Sequence, residues 1–381
     1  MQRPVPAVAV VFLALLSVPS LTNAQETASS QLAVLAADPL DHPVEVMPMA
    51  KDSLILDMTI SGDRIIAVGE RGHVLISTDG SSWRQSPNVP LRSTLTAVTS
   101  IASHVWAVGH DGVILHSSDA GEHWEIQRRD PRGQPAEGVA ADDIRQGAPL
   151  LDVLFTDATH GFAIGAYSLL LTTSDGGKTW SGSRINTIDT GQAAATKAKA
   201  QAEEAQHSED GIESSVFSAA ELAIGMETDA HLNAIARTAS GGFVIVGERG
   251  AVFRSRDDGH SWTRSQLPYD GSMFGIVGYE GDHVLAFGLR GHVFESTDLG
   301  ESWTAIPTGS ELSLMGGSAL ANGGVVIGGA NGIVLRRVRD SEPLVLSTQT
   351  AAGIIAKVLP AGAGGELLIA GEHGLSRFQP K

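Results

Sequence analysis

Seven times along this chain an apolar run meets a glycine, turns within three residues and leaves as a second apolar run. The first glycines are Gly69, Gly109, Gly165, Gly247, Gly288, Gly329 and Gly371, spaced 40, 56, 82, 41, 41 and 42 residues apart. In six units a second glycine closes a G-x-x-G, as in Val68-Gly69-Glu70-Arg71-Gly72; unit three has Ser168 there. The pair of glycines predicts a hairpin, because backbone with positive φ costs glycine little, and Ser168 predicts a different hairpin in unit three. A period near 41 residues holding four short strands is the size of one propeller blade. The expected architecture is therefore all-β, a seven-bladed β-propeller of four-stranded blades, and the dense Gly-bounded strands exclude a helical solenoid.

A second repeat runs in register with the first. It reads Ser117-x-Asp119-x-Gly121-x-x-Trp124, Thr173-x-Asp175-x-Gly177-x-x-Trp180, Ser255-x-Asp257-x-Gly259-x-x-Trp262 and Ser296-x-Asp298-x-Gly300-x-x-Trp303. A version one residue shorter spans Ser77 to Trp83 around Asp79. The Asp and Ser side chains are placed to hold turn N–H groups, and the Trp is expected to bury its ring beside the next blade. A carboxylate recurring in blade after blade suits a folding staple better than a metal or catalytic site, since repeats need the same chemistry in each unit.

These turns resemble the Asp box of the BNR-repeat propellers. The longer unit, with its A-V-G-E-x-G hairpin and S-x-D-x-G-x-x-W turn, resembles the photosystem II stability/assembly factor family over about residues 54 to 378. The resemblance implies a seven-bladed propeller that binds protein partners and helps assemble or stabilise a membrane complex; the absence of catalytic and cofactor motifs from the sequence gives the expectation of a non-catalytic protein without a cofactor. The family name does not imply photosynthesis in the source of this chain.

Blade cores are expected at about 54–83, 95–124, 150–180, 231–262, 273–303, 314–344 and 354–378, within a single propeller spanning 25–381. The two long intervals place insertions at 125–149 and 184–230, on the connections from one blade to the next, which open on the face of the hairpin tips. The first reads as a charged loop. The second holds Ala193 to Gln206, good helix material, followed by an apolar stripe of Ile212, Val216, Ala219 and Ala223. It is a rim hairpin, a channel cap or a partner-binding arm.

On that face the hairpin tips form a ring of Arg71, Asp111, Tyr167, Arg249, Arg290, Asn331 and His373. Glu70, His110, Ala166, Glu248, Leu289, Ala330 and Glu372 precede them. Three arginines stand out in a chain of net charge −17, and their planar forks suit carboxylates and protein surfaces. Glu70 and Glu248 would neutralise two of them. The acidic balance otherwise excludes nucleic acid and disfavours anionic membrane.

The enzyme reading, a secreted glycoside hydrolase of sialidase-like type, finds no F/Y-R-I-P motif before the first Asp box. Tyr167, Tyr269 and Tyr279 are the only tyrosines, and no motif supplies a glutamate partner. The chain has no Cys, and its 13 His include no H-E-x-x-H, so neither a metal site nor a thiol nucleophile is implied. Its glycine loops join strands, whereas phosphate cradles lead into a helix.

Residues 1–24, with Arg3 before an apolar run and Thr22-Asn23-Ala24 at its end, read as a secretory signal. The expected product is exported, periplasmic in a Gram-negative source, monomeric and not inserted in membrane. The last blade lacks a strand after Phe378, so part of Gln31 to Met47 is expected to supply it and close the ring.

Overall fold

The structure, a computed structural model, describes residues 42–130, 147–185, 230–320, 323–340, 342–362 and 364–380. Seven antiparallel sheets follow one another in chain order, six of four strands and the last of three. In each sheet the strands pair in sequence order, which is the meander of a propeller blade. The first strands are Ile55–Ser61, Leu95–Ile101, Leu150–Phe155, Leu232–Arg237, Met273–Gly278, Leu314–Ala319 and Ile355–Pro360. Each packs against the first strand of the next blade, and the seventh returns to the first, so these seven form the inner wall of a closed ring. Among the described residues the remaining elements are single 3-10 turns. The expected helix Ala193 to Gln206 and the apolar stripe after it lie in 186–229, outside the described residues.

The fourth strands of blades two and three are Glu125–Arg128 and Ser181–Arg184, so the first insertion begins four residues later than its loop reading placed it. In blade six the fourth strand is Val345–Thr348.

The core lies between blades. Ile66, Val68 and Ile76 of blade one pack with Val98, Val105 and Leu115 of blade two, and Trp124 joins that cluster from the blade-two Asp box. Trp180, Trp262 and Trp303 likewise pack with the blade before their own. The Asp-box tryptophans thus face the preceding blade, not the next one. The turn glycine explains the direction: a Cβ on Gly121 would meet Ile66 and Ile76, and one on Gly300 would meet Val252 and Val244. Each box is a foot set on the blade behind it.

The two glycines of the hairpin do different work. The second one has positive φ, 70° at Gly72 and 66° at Gly250, and with the tip residue it forms the two-residue turn that matches strand twist. The first is extended, with φ −168° at Gly69. It is glycine because a Cβ there would stand 2.1 Å from the Leu54 carbonyl oxygen, and the same approach recurs at Gly109, Gly165, Gly247, Gly288, Gly329 and Gly371. That carbonyl accepts the next N–H, Glu70 to Leu54 at 3.0 Å, where a bulge draws the inner strand inward. Ser168 does not change the blade-three hairpin. It adopts φ 57°, and its N–H donates to the Ala230 carbonyl at 2.9 Å.

The ring closes without an added strand among the described residues. Of the stretch expected to complete blade seven, 31–41 lies outside the description, and 42–47 runs along blade one. There Val44 N donates to Val89 O at 2.9 Å and Met47 N to Gln85 Oε1 at 2.8 Å. Closure comes from Ala50, Ile55 and Met58 packing with Leu368 and Ala370, and from Lys51, whose backbone abuts Gly374.

Candidate functional site

The structure places the seven tip residues at the turns between the second and third strands of their blades, and the backbone there is unusual. Arg71, Asp111, Tyr167, Arg249, Arg290 and Asn331 all have left-handed φ between 54° and 62°, a conformation that non-glycine residues adopt at a cost. His373 does not share it, and its Nδ1 lies 3.0 Å from Ala351 O. Arg71, Arg249, Arg290, Asn331 and His373 are exposed, while Asp111 and Tyr167 are half-buried. Asp111 accepts from Ser93 Oγ at 2.8 Å, and Tyr167 meets His231 edge to face.

Neither Glu70 nor Glu248 forms an ion pair with the arginine that follows it. Glu248 Oε2 accepts from His231 N at 3.1 Å, and the equivalent Glu372 accepts from Ile354 N, so these carboxylates hold the start of an inner strand. No ion pair joins Arg71, Arg249 or Arg290 to any described residue. Two of the three stand on the neighbouring blades four and five, and Arg71 stands on blade one.

The Asp-box carboxylates are hydrogen-bonded by their own turns. Asp175 Oδ1 accepts from Thr173 Oγ1 and Thr179 N at 2.9 Å each, and Oδ2 from Thr179 Oγ1 at 2.7 Å. Asp79, Asp119, Asp257 and Asp298 repeat the pattern with Ser77, Ser117, Ser255 and Ser296. The hydroxyl and amide of Thr179 hold Asp175 down to about 2, and those of Ser261 do the same for Asp257. At Asp298 burial pushes upward, but the Ser302 donors outweigh it and leave the group at about 2. Each carboxylate is committed first to holding its own turn, with three hydrogen bonds on Asp175 and three on Asp79. Among the described residues no group of three or more potential ligands gathers around a metal position.

Two ionic clusters escaped the sequence reading. The third residue of every inner strand occupies one layer, as Asp57, Ala97, Asp152, Ala234, Gly275, Gly316 and Lys357. Asp57 Oδ1 meets Lys357 Nζ at 2.9 Å, and its Oδ2 accepts from Val98 N of the next blade at 2.8 Å. Asp152 Oδ2 accepts from Ile235 N at 2.8 Å in the same way. Burial pushes Asp152 up to about 7, the Ile235 hydrogen bond opposes it and the Asp57 charge adds to it. The signal was available: counting from the start of each inner strand aligns the three charges.

Tyr279 donates to Glu295 and accepts from Arg337, whose Nη2 also lies 2.6 Å from Glu295 Oε1 and 3.4 Å from Asp340 Oδ1. So Tyr279 does have a glutamate partner, contributed by a strand 16 residues on. Tyr279 is only 6% exposed and Arg337 2%, within the wall between blades five and six. The group has no open face for a glycoside. Burial, with the Glu295 hydrogen bond, drives the phenol far above its ordinary range, so it remains a hydrogen-bond donor.

A sequence profile of the family described as photosynthesis system II assembly factor YCF48 matches residues 141–206. No curated protein matches the sequence. Among solved structures, YCF48 bound to D1 peptide is 16% identical with a TM-score of 0.59, covering 89% of this chain and 98% of that one. YCF48 from Cyanidioschyzon merolae is 15% identical with a TM-score of 0.58, covering 88% and 98%. The WD40 propeller domain of Doa1 is 10% identical with a TM-score of 0.59, covering 90% and 96%. At such identities these structures share the fold. The chain is an Asp-box β-propeller of seven blades that resembles the YCF48-type assembly factors.

Proposed function

We propose that this protein is an exported binding factor that holds a protein segment on its hairpin face and thereby assembles or stabilises an envelope or membrane complex. The observation that carries the reading is the set of exposed Arg71, Arg249 and Arg290 side chains, without carboxylate partners among the described residues of an acidic protein. Left-handed backbone beneath bulky side chains points the same way, because strain of this kind persists where another demand outweighs it. The similar fold of YCF48, solved with a D1 peptide, supports a peptide-binding role. Asp111, Tyr167, Asn331 and His373 complete the proposed contact ring. Export rests on the reading of residues 1–24 as a secretory signal.

The test is affinity purification from an envelope extract with the mature chain. Recovery of a defined complex, lost when Arg71, Arg249 and Arg290 become Ala and weakened by salt, is the expected result. A complex that survives the triple substitution removes the arginine ring from the interface.

A further inference from the structure

Neighbouring blades meet on the Asp-box face through side chains that fill the wedge between them. Between blades one and two, Glu122 pairs with Arg84 and with Arg64, 2.9 Å away. Between blades four and five, Glu301 pairs with Arg254, and Arg256 meets Asp282 at 2.7 Å. Between blades two and three, Gln127 Nε2 and Trp106 Nε1 donate to Gly176 O at 3.0 and 3.1 Å.

The junction of blades three and four breaks this pattern. Strand register places Thr172 where Arg254 stands and Ser181 where Arg84 stands, and Ser183 follows Trp180 by three residues as Gln127 follows Trp124. The box position of Glu122 and Glu301 is His260. Short hydroxyl side chains therefore leave an open cleft of about 750 Å³. Phe162, Phe243 and Trp262 line it, and the hydroxyls of Thr172, Ser181 and Ser183 have no hydrogen-bond partner among the described residues. Arg237 enters from the end of the blade-four inner strand, its guanidinium 5.8 Å from the Phe243 ring centroid. It has no acidic partner among the described residues.

We propose that this cleft is a binding site for a single carboxylate, with Arg237 as its receptor and the hydroxyls binding the polar groups beside it. A ligand carboxylate would supply the negative charge that Glu122 supplies between blades one and two and Glu301 between blades four and five, and Arg binds that group through paired, charge-assisted hydrogen bonds. Crossing from inner to outer strand spans three interstrand steps, about 14 Å. That length admits a small hydroxy acid or the last residues of a chain end.

Two acids at the opening set the charge the site accepts. Asp157 is held by its own turn, accepting from Thr159 N at 2.7 Å and His160 N at 2.9 Å, while Asp258 is exposed. Both keep negative charge near the mouth, which disfavours a dianion such as phosphate. The site is independent of the hairpin-face reading.

Isothermal titration calorimetry of the full chain with four probes tests it: D-gluconate, glucose, and the tripeptide Ala-Ser-Ala as free acid and as amide. Gluconate or the tripeptide acid should bind about tenfold or more tightly than its uncharged counterpart, and Arg237→Gln should remove that difference. Gluconate alone binding identifies a free hydroxy acid; the tripeptide acid alone identifies a chain end. Ser181→Phe should block the cleft while leaving the melting temperature and the hairpin-face pull-down unchanged. Absence of carboxylate binding at millimolar concentration, or binding indifferent to both Arg237→Gln and Ser181→Phe, overturns the proposal.

Discussion

Lys357 Nζ lies 2.9 Å from Asp57 Oδ1, joining the third residue of the last inner strand to the third residue of the first. The seam where blade seven meets blade one carries no strand exchange among the described residues; this ion pair, the apolar contacts around Met58, the Lys51 backbone against Gly374 and the Arg377 hydrogen bond to Asp79 O hold it. Lys357→Met should cost about 2–4 kcal/mol, because it removes the cation paired with Asp57 in a nearly buried place. Lys357→Met with Asp57→Asn should recover much of that loss. Urea unfolding of the two variants measures both, and an unchanged midpoint for Lys357→Met would place closure elsewhere.

The same layer predicts a pH effect. Asp152 sits at about 7 in the fold against an ordinary 3.8, so the folded state holds a proton that the unfolded chain releases between those values. The favourable contribution is fully present below about pH 4 and is lost as pH rises through 7. Thermal melting between pH 5 and 8 should show stability falling as pH rises, and Asp152→Asn should flatten that slope. Val153 N and Ile235 N each donate to Asp152, so the variant also loses one acceptor at every pH.

The hairpin arginines should trade stability against binding. Each of Arg71→Gly, Arg249→Gly and Arg290→Gly relieves a left-handed non-glycine residue, and a gain of about 0.5–1 kcal/mol is expected after the entropy of the unfolded glycine is counted. Partner capture should weaken in the same variants. Chemical denaturation beside pull-down reads the two effects, and arginine variants that lose stability would show those side chains to be structural.

Gly109→Ala should be far more damaging than an ordinary glycine substitution. Its new Cβ would meet Thr94 O at 2.1 Å, and that carbonyl is already engaged by His110 N at 3.0 Å. A cost of about 3 kcal/mol is expected, at the upper end of the range for forced overpacking. Gly281→Ala, with positive φ but open space, should cost only about 1 kcal/mol. Equal melting temperatures for the two would refute the close-approach account.

Much of the fold was legible because a propeller writes its local chemistry once per blade. The glycine and Asp-box repeats located the blades, and the hydrogen-bonded turns around Asp175 and Asp298 fit the staple reading. Their tryptophans were given the wrong neighbour, since sequence order says which blade comes next and not which way a ring leans. Unit three misled for a related reason. Ser168 lacks glycine's freedom, yet a hydrogen bond to Ala230, 62 residues on, accompanies the same turn.

By itself the sequence determined the number of blades, the place of each hairpin and Asp box and the residues at the tips, because each depends on contacts within one repeat. Only the tertiary structure decided which charges meet. Asp57 and Lys357 are 300 residues apart, Arg337 of blade six reaches Glu295 of blade five and Arg237 opens on a cleft made by the small side chains of its neighbour. Such encounters depend on how one blade packs on the next and, for Asp57 and Lys357, on closing the ring, which brings together residues that no repeat period relates.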